Sequence, residues 1–237
     1  MVIRIQGFDR GVFGGNFHTH NQLQHMPPGI DVVCYSNGED YVRGMRHAIM
    51  QAKAGRVVMF VDCTHLLNLR HLHDKDRGWE RPYPDAGEMM GFDDVLRYGS
   101  NGRYAILSYG NGVVTSLQAR KAMADTRIIE DESLVDIIDC PYLSGVPEGL
   151  RDIIGQYEGI IFADICKEGP GPSVLDSMAS SLHNEGRLPA LWRVVGAPRT
   201  YNPLGSICTF LNVEDIIEAS EKVFQEDKTS TGAYTAA

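Results

Sequence analysis

Eight histidines and five cysteines are the side chains of this 237-residue chain best able to do chemistry. Three of the histidines, His18, His20 and His25, crowd into "FHTHNQLQH" (17–25), and "HLH" (71–73) lies close after His65. Two His-x-His pairs could supply zinc ligands, because imidazole suits zinc and a catalytic zinc needs three protein ligands. Ligand-like spacing alone fixes no geometry, and "HLHDKDRG" carries enough charge to lie in solvent. The cysteines, Cys34, Cys63, Cys140, Cys166 and Cys208, are odd in number and form no CxxC pair. Most end or adjoin apolar stretches, which predicts buried reduced thiols in a cytoplasmic protein. No GxSxG elbow is present, and Ser, His and Asp fall at no diagnostic spacing. "YGNGVV" (109–114) and "EGPGPS" (168–173) put glycines between a strand and a helix, where free N–H groups bind anions. Neither holds GxGxxG or GxxxxGK[ST], and Pro170 and Pro172 remove donors, so tight βα turns are expected there. "GVFGGNFHTHNQ" (11–22) remains. Its polar residues His18, Thr19, His20, Asn21 and Gln22 follow a glycine-rich loop between two strand candidates. That is either a solvated loop or one lip of the crevice at strand carboxyl ends, where imidazole moves protons near neutral pH.

The elements that must position these residues alternate. "VIRI", "IDVVCY" (30–35) and "RVVMFV" (56–61) are strand candidates, and "SNGEDYVRGMRHAIMQAK" (36–53) is a helix. There Ser36 and Glu39 suggest a capping box, and Val42, Met45, Ile49 and Ala52 recur at helical spacing. A mixed-charge connector follows, with Trp79, Tyr83 and Phe92 able to pin it. The last segment repeats a strand–helix unit four times. The strands are "YAILSY" (104–109), "LVDIID" (134–139), "GIIFAD" (159–164) and "ALWRVV" (190–195). The helices have Val113, Val114, Leu117 and Ala124, then Leu150, Ile153 and Ile154, then Val174, Leu175, Met178 and Leu182 inward. A closing helix over 212–224 has Asn212 and Asp215 at its start, and a frayed tail follows Phe224. Seven strands alternating with helices predict an α/β fold with a mostly parallel sheet flanked by helices. Too few units are present for an eight-fold βα barrel, which weakens a metal-dependent hydrolase reading.

Bulk properties exclude other classes. A formal charge of −9 disfavours nucleic acid. No apolar run is long enough to span a membrane, and the N-terminus lacks a signal peptide's apolar stretch.

Several stretches in order resemble the β subunit of thiamine-diphosphate-dependent 2-oxo-acid dehydrogenases, within the transketolase-like superfamily. They are "MVIRI", "GGNFHTHNQ", "MPPGIDVVCYSNGEDYVRGMRHAI", "RVVMFVD", "YAILSYGNGVVTSLQARKAM", "VDIIDCPYLSGVPEGLRDII", "GIIFADICKEGPGPSVLDSMASSL" and "WRVVGAPRTYNPL". The resemblance covers about residues 1–225. It implies that 1–70 is the C-terminal half of a pyrimidine-binding-like domain, 71–100 a connector, 101–226 a transketolase C-terminal-like domain and 227–237 a tail. It implies oxidative decarboxylation of a 2-oxo acid with acyl transfer to a lipoyl carrier protein. His18 or His20 would bind or protonate the 2-oxo acid. The family's activating glutamate and its GDG-type diphosphate and magnesium motif have no counterpart here. Thiamine diphosphate with magnesium would therefore be held mainly by a partner chain, α-subunit-like or carrying the upstream half, in a homo- or hetero-oligomer. The alternative is a non-catalytic structural or regulatory subunit of such a complex.

Overall fold

The structure, a computed structural model, describes residues 1–7, 28–168, 173–199 and 210–234. Among them, eight strands fall into two sheets. In the first, β1 (Val2–Gln6), β2 (Asp31–Val33) and β3 (Val58–Asp62) run parallel in the order β1-β3-β2. In the second, β4 (Leu96–Tyr98), β5 (Tyr104–Ser108), β6 (Val135–Asp139), β7 (Gly159–Lys167) and β8 (Leu191–Ala197) are ordered β4-β6-β5-β7-β8. Only the β4–β6 pair is antiparallel. The helices are α1 (Gly38–Lys53), α2 (Asn111–Asp125), α3 (Glu148–Ile154), α4 (Val174–Asn184) and α5 (Val213–Tyr234). Strand β7 is buried from Gly159 to Cys166 and is packed by α2, α4 and α5. A strand covered on both faces must be apolar throughout, which "GIIFA" is. The expected α/β fold with helix-flanked, mostly parallel sheets is the one observed.

The segment after β6 stitches the sheets together. Cys34 N–H donates to Pro141 O (2.8 Å), and Leu143 N–H donates to Val32 O (2.9 Å). The Ser144 hydroxyl accepts from Val32 N–H (2.8 Å) and donates to Ile30 O (3.0 Å). Asp31 takes Arg56 at 2.5 and 2.8 Å and the Tyr142 hydroxyl at 2.9 Å. One apolar core runs across the junction, joining Val32, Cys34, Met59, Val61 and Cys63 to β5, β6 and β7.

Several local expectations change. The cap of α1 is Asn37, not Ser36: its side chain accepts from Asp40 N–H (3.0 Å) and donates to the Asp40 carboxylate (2.5 Å). Ser36 is drawn elsewhere, as shown below. The buried positions of α1 are Asp40, Gly44 and Ala48. Val42, Met45 and Ala52 are only half-buried, and Ile49 is 45% exposed. The connector contributes β4, too short for periodicity to reveal, and buries Trp79, Met90 and Phe92, while Tyr83 stays 78% exposed. Helix α5 passes Phe224 and runs to Tyr234, so residues 225–234 are helical instead of frayed. Buried Asp227 anchors this extension, accepting from Arg103 (2.6 Å) and the Tyr104 hydroxyl (2.7 Å). At the start of α5, the Asp215 carboxylate accepts from Asn212 N–H (2.8 Å). Cys34, Cys63, Cys140 and Cys166 are buried free thiols, as their apolar settings suggested. Among the described residues no helix is long and apolar enough to cross a membrane.

Candidate functional site

Two strands of the described residues end in aspartate, "VMFVD" at Asp62 and "VDIID" at Asp139, and a third apolar run, "IIFAD", reaches Asp164 inside the long β7. In parallel sheets the carboxyl ends are where ligands sit. A cavity of about 530 Å3 lies at the carboxyl ends of β2 and β3. It is lined by Tyr35, Ser36, Asn37, Tyr41, Cys63 and Leu66 and, from the connector, by Trp79 and Arg81. A larger cavity of about 790 Å3 lies at the opposite, amino ends of these strands. Its charged residues, Asp31 and Arg56, are already bound to each other. Topology therefore favours the smaller one.

Each wall has a local cause. Trp79 is held by its indole N–H, which donates to Ser36 O (3.2 Å), and by stacking on Tyr98 (6.1 Å). The Arg81 guanidinium lies over the Trp79 ring (5.1 Å). At the rim, Asp62 receives Arg4 (2.6 and 3.0 Å) and the Tyr41 hydroxyl (2.9 Å). Burial first, and then the Asp62 charge and its hydrogen bond, hold the Tyr41 phenol above its ordinary range. The Cys34 thiol, 3.6 Å from Cys63 Sγ, is also held well above its ordinary range, first by the contact with Cys63 and then by burial. A thiol kept protonated in this way is a poor nucleophile.

Behind Ser36 stands Asp139. The Ser36 hydroxyl donates to Asp139 Oδ2 across a short contact, while Oδ1 has no partner and is sealed from solvent. Burial pushes this carboxyl up to about 8; the Ser36 bond works against the shift and the nearby Asp40 charge adds to it. A neutral acid suits a closed site that offers one hydroxyl partner beside another carboxylate. The chain thus keeps a protonated carboxyl beneath the cavity floor, coupled to it through Ser36.

Other chemical candidates are used structurally. Asp164 accepts from Leu175 N–H (2.8 Å), Cys166 N–H (2.8 Å) and the Tyr109 hydroxyl (2.7 Å), fixing the start of α4. Ser173 caps the same helix through Asp176 N–H (3.1 Å). Those two N–H groups are thereby committed; residues 169–172 of "EGPGPS" lie outside the described residues. Gly110, in "YGNGVV", has φ of +52°, and a Cβ there would sit 2.7 Å from Cys34 Sγ and 3.0 Å from Cys63 Sγ. It is glycine for packing between the sheets. In "HLH", His71 Nδ1 accepts from Arg77 N–H (2.8 Å), and Asp76 gathers the N–H groups of Leu72, His73 and Gly78 at 2.8–3.0 Å. This is a turn organised by Asp76. Among the described residues no group of three or more His, Cys, Asp or Glu is placed to hold a metal ion.

His18 and His20 lie outside the described residues. The strand that precedes them, β1, ends beside Asp62, to whose carbonyl Gly7 N–H donates (3.2 Å). Reading the sequence assigned Ser36 and Trp79 only structural tasks and passed over Asp139. The recurring "apolar run, then Asp" was the available signal for Asp139. No pattern announced Trp79, which reaches the cavity from an aperiodic connector.

No protein-family profile and no curated protein matches this chain. Among solved structures, a chain described as a split-gene transketolase, an inactive β4 tetramer, matches with a TM-score of 0.60 at 13% identity. The match covers 94% of this chain and 66% of that one, so this chain spans just under two thirds of its length. The fold is transketolase-like.

Proposed function

We propose that this chain is a β-subunit-like component of a thiamine-diphosphate-dependent enzyme, and within that class of a 2-oxo-acid dehydrogenase. The observation that carries the reading is the fold likeness over 94% of the chain to a split-gene transketolase chain, which this chain matches over only part of its length. The ordered resemblance from "MVIRI" to "WRVVGAPRTYNPL" supports the narrower class.

The described residues do not fit the whole cofactor. The cavity offers flat walls at Trp79, Tyr35 and Tyr41, but its rim carboxylate, Asp62, is spent on Arg4 and Tyr41. Among the described residues no group of three or more His, Cys, Asp or Glu stands ready for a metal ion at this cavity. Thiamine diphosphate with magnesium would be held mainly by a partner chain, and no catalytic step is assigned to the described residues. The proton-handling role belongs to His18 or His20. The lipoyl carrier and a cytoplasmic setting go with the same reading.

A second reading, a non-catalytic assembly subunit, is favoured by one observation. The carboxylates of Asp62 and Asp164 and one oxygen of Asp139 are engaged within the chain. Purifying the native complex, with mass spectrometry of its chains and of bound thiamine diphosphate, separates the two. A partner chain with stoichiometric cofactor is expected, and an assembly free of cofactor would sink the enzymatic reading.

A further inference from the structure

Two thiols meet where the sheets join. Cys34 follows β2 and Cys63 follows β3, and their sulfurs lie 3.6 Å apart. Both main chains are pinned: Cys34 N–H donates to Pro141 O (2.8 Å), and Cys63 O accepts from Leu66 N–H (2.9 Å). Gly110 packs against both sulfurs, and a Cβ there would strike them. Cys140 and Cys166 have other neighbours, the Tyr142 carbonyl (3.7 Å) and the Tyr109 hydroxyl (3.4 Å). A disulfide needs its sulfurs at about 2.05 Å, so the Cys34–Cys63 contact has to close by only about 1.5 Å, shared between two side chains.

The two sulfurs differ in access. Cys63 lines the cavity of about 530 Å3 at the carboxyl ends of β2 and β3, whereas Cys34 is fully buried and is not on its wall. The contact with Cys63, and then burial, keep the proton on Cys34, which makes Cys34 the donor and Cys63 Sγ the acceptor. A small oxidant entering the cavity therefore meets Cys63, whose sulfur already touches a second thiol. A reachable sulfur beside a resolving thiol is the arrangement that redox-sensitive cysteines share.

We propose that Cys34 and Cys63 form a reversible disulfide when a hydroperoxide enters this cavity. The Cys63 sulfur attacks one peroxide oxygen. The O–O bond breaks, the departing hydroxide takes the Cys63 proton and leaves as water, and Cys63 becomes a sulfenic acid. The Cys34 sulfur then attacks the Cys63 sulfur. The S–O bond breaks, and this second hydroxide takes the Cys34 proton and leaves as water. Two thiols and one hydrogen peroxide thus give one disulfide and two waters, with two electrons passing from sulfur to oxygen. The bridge ties the end of β2 to the end of β3 and draws the Cys63 sulfur toward Cys34, away from the cavity. Exchange with free thiols reverses it. The inference is independent of the thiamine reading.

Peptide mapping of the full chain tests it. The folded, reduced protein is treated with hydrogen peroxide, its remaining thiols are alkylated in denaturant, and it is digested without reduction. The tryptic peptides holding Cys34 and Cys63 are expected to be joined, at least ~10-fold above any other cysteine pair, with Cys140 and Cys166 alkylated. Dithiothreitol should release them, and the same treatment in urea should lose the preference. Cys34→Ser should leave Cys63 as a sulfenic acid that dimedone traps; if that variant is unfolded, the wild-type map decides alone. A trivalent arylarsenical, which bridges neighbouring thiols, should protect the same two cysteines from alkylation in the wild type. No joined peptide, a dominant bridge through another cysteine, or a bridge formed equally in the unfolded chain overturns the proposal.

Discussion

Asp139 shows how one buried side chain can set a solution property. In the folded chain it holds its proton up to about pH 8, against an ordinary value of 3.8. Between those values the native state binds more protons than the unfolded one, so stability falls as pH rises through that window and is fully present below it. Asp139→Asn keeps an acceptor for Ser36 and removes the titration. Urea unfolding of this variant between pH 5 and 8 is expected to flatten the pH dependence by up to about 1.4 kcal/mol per pH unit. Identical slopes in variant and wild type would contradict a neutral Asp139. At the same scale, the proposed role of His18 and His20 predicts a loss of turnover. Replacing both with alanine in the reconstituted complex should slow it at least ~100-fold, the scale of general acid–base catalysis. An unchanged rate would end the catalytic assignment.

Among the elements, the junction between β5 and α2 is the most constrained. Gly110 combines a positive φ with contacts that leave no room for a methyl group. Gly110→Ala is expected to cost about 3 kcal/mol, from backbone strain and from displacing the thiols of Cys34 and Cys63. Chemical denaturation measures this, and a loss under ~1 kcal/mol would mean the sheets part easily at this point. The cap of α1 is a milder case: Asn37→Ala should cost about 1 kcal/mol in the same assay. At this scale the sequence was readable where periodicity extends over many residues. The inward face of α4, with Val174, Leu175, Met178 and Leu182, appeared as its spacing required. Strand β4 and the shift of the α1 cap were not readable, because three residues carry no period and Ser36 is claimed by a distant carboxyl.

The whole molecule has two sheets but one continuous core, reinforced by the backbone bonds of Cys34 and Leu143 and by Ser144 across the junction. A single cooperative unfolding transition is therefore expected, with calorimetric and van't Hoff enthalpies equal. Two resolved transitions would show that the junction is weaker than its bonds suggest. The cavity at Trp79 depends on the same junction, since Ser36 follows β2 of the first sheet and bonds Asp139, which ends β6 of the second.

By itself, the sequence determined the alternation of strands and helices, the parallel sheets and the burial of Cys34, Cys63, Cys140 and Cys166. All of these follow from local period and from which residues avoid water. Only the tertiary structure decided which aspartates meet which partners. It also decided that Trp79 lines the cavity at the carboxyl ends, and that α1 buries Asp40, Gly44 and Ala48 while Val42, Met45 and Ala52 stay half-buried. Those depend on contacts between residues more than a hundred positions apart, such as Ser36 with Asp139 and Arg103 with Asp227, and no local spacing records them.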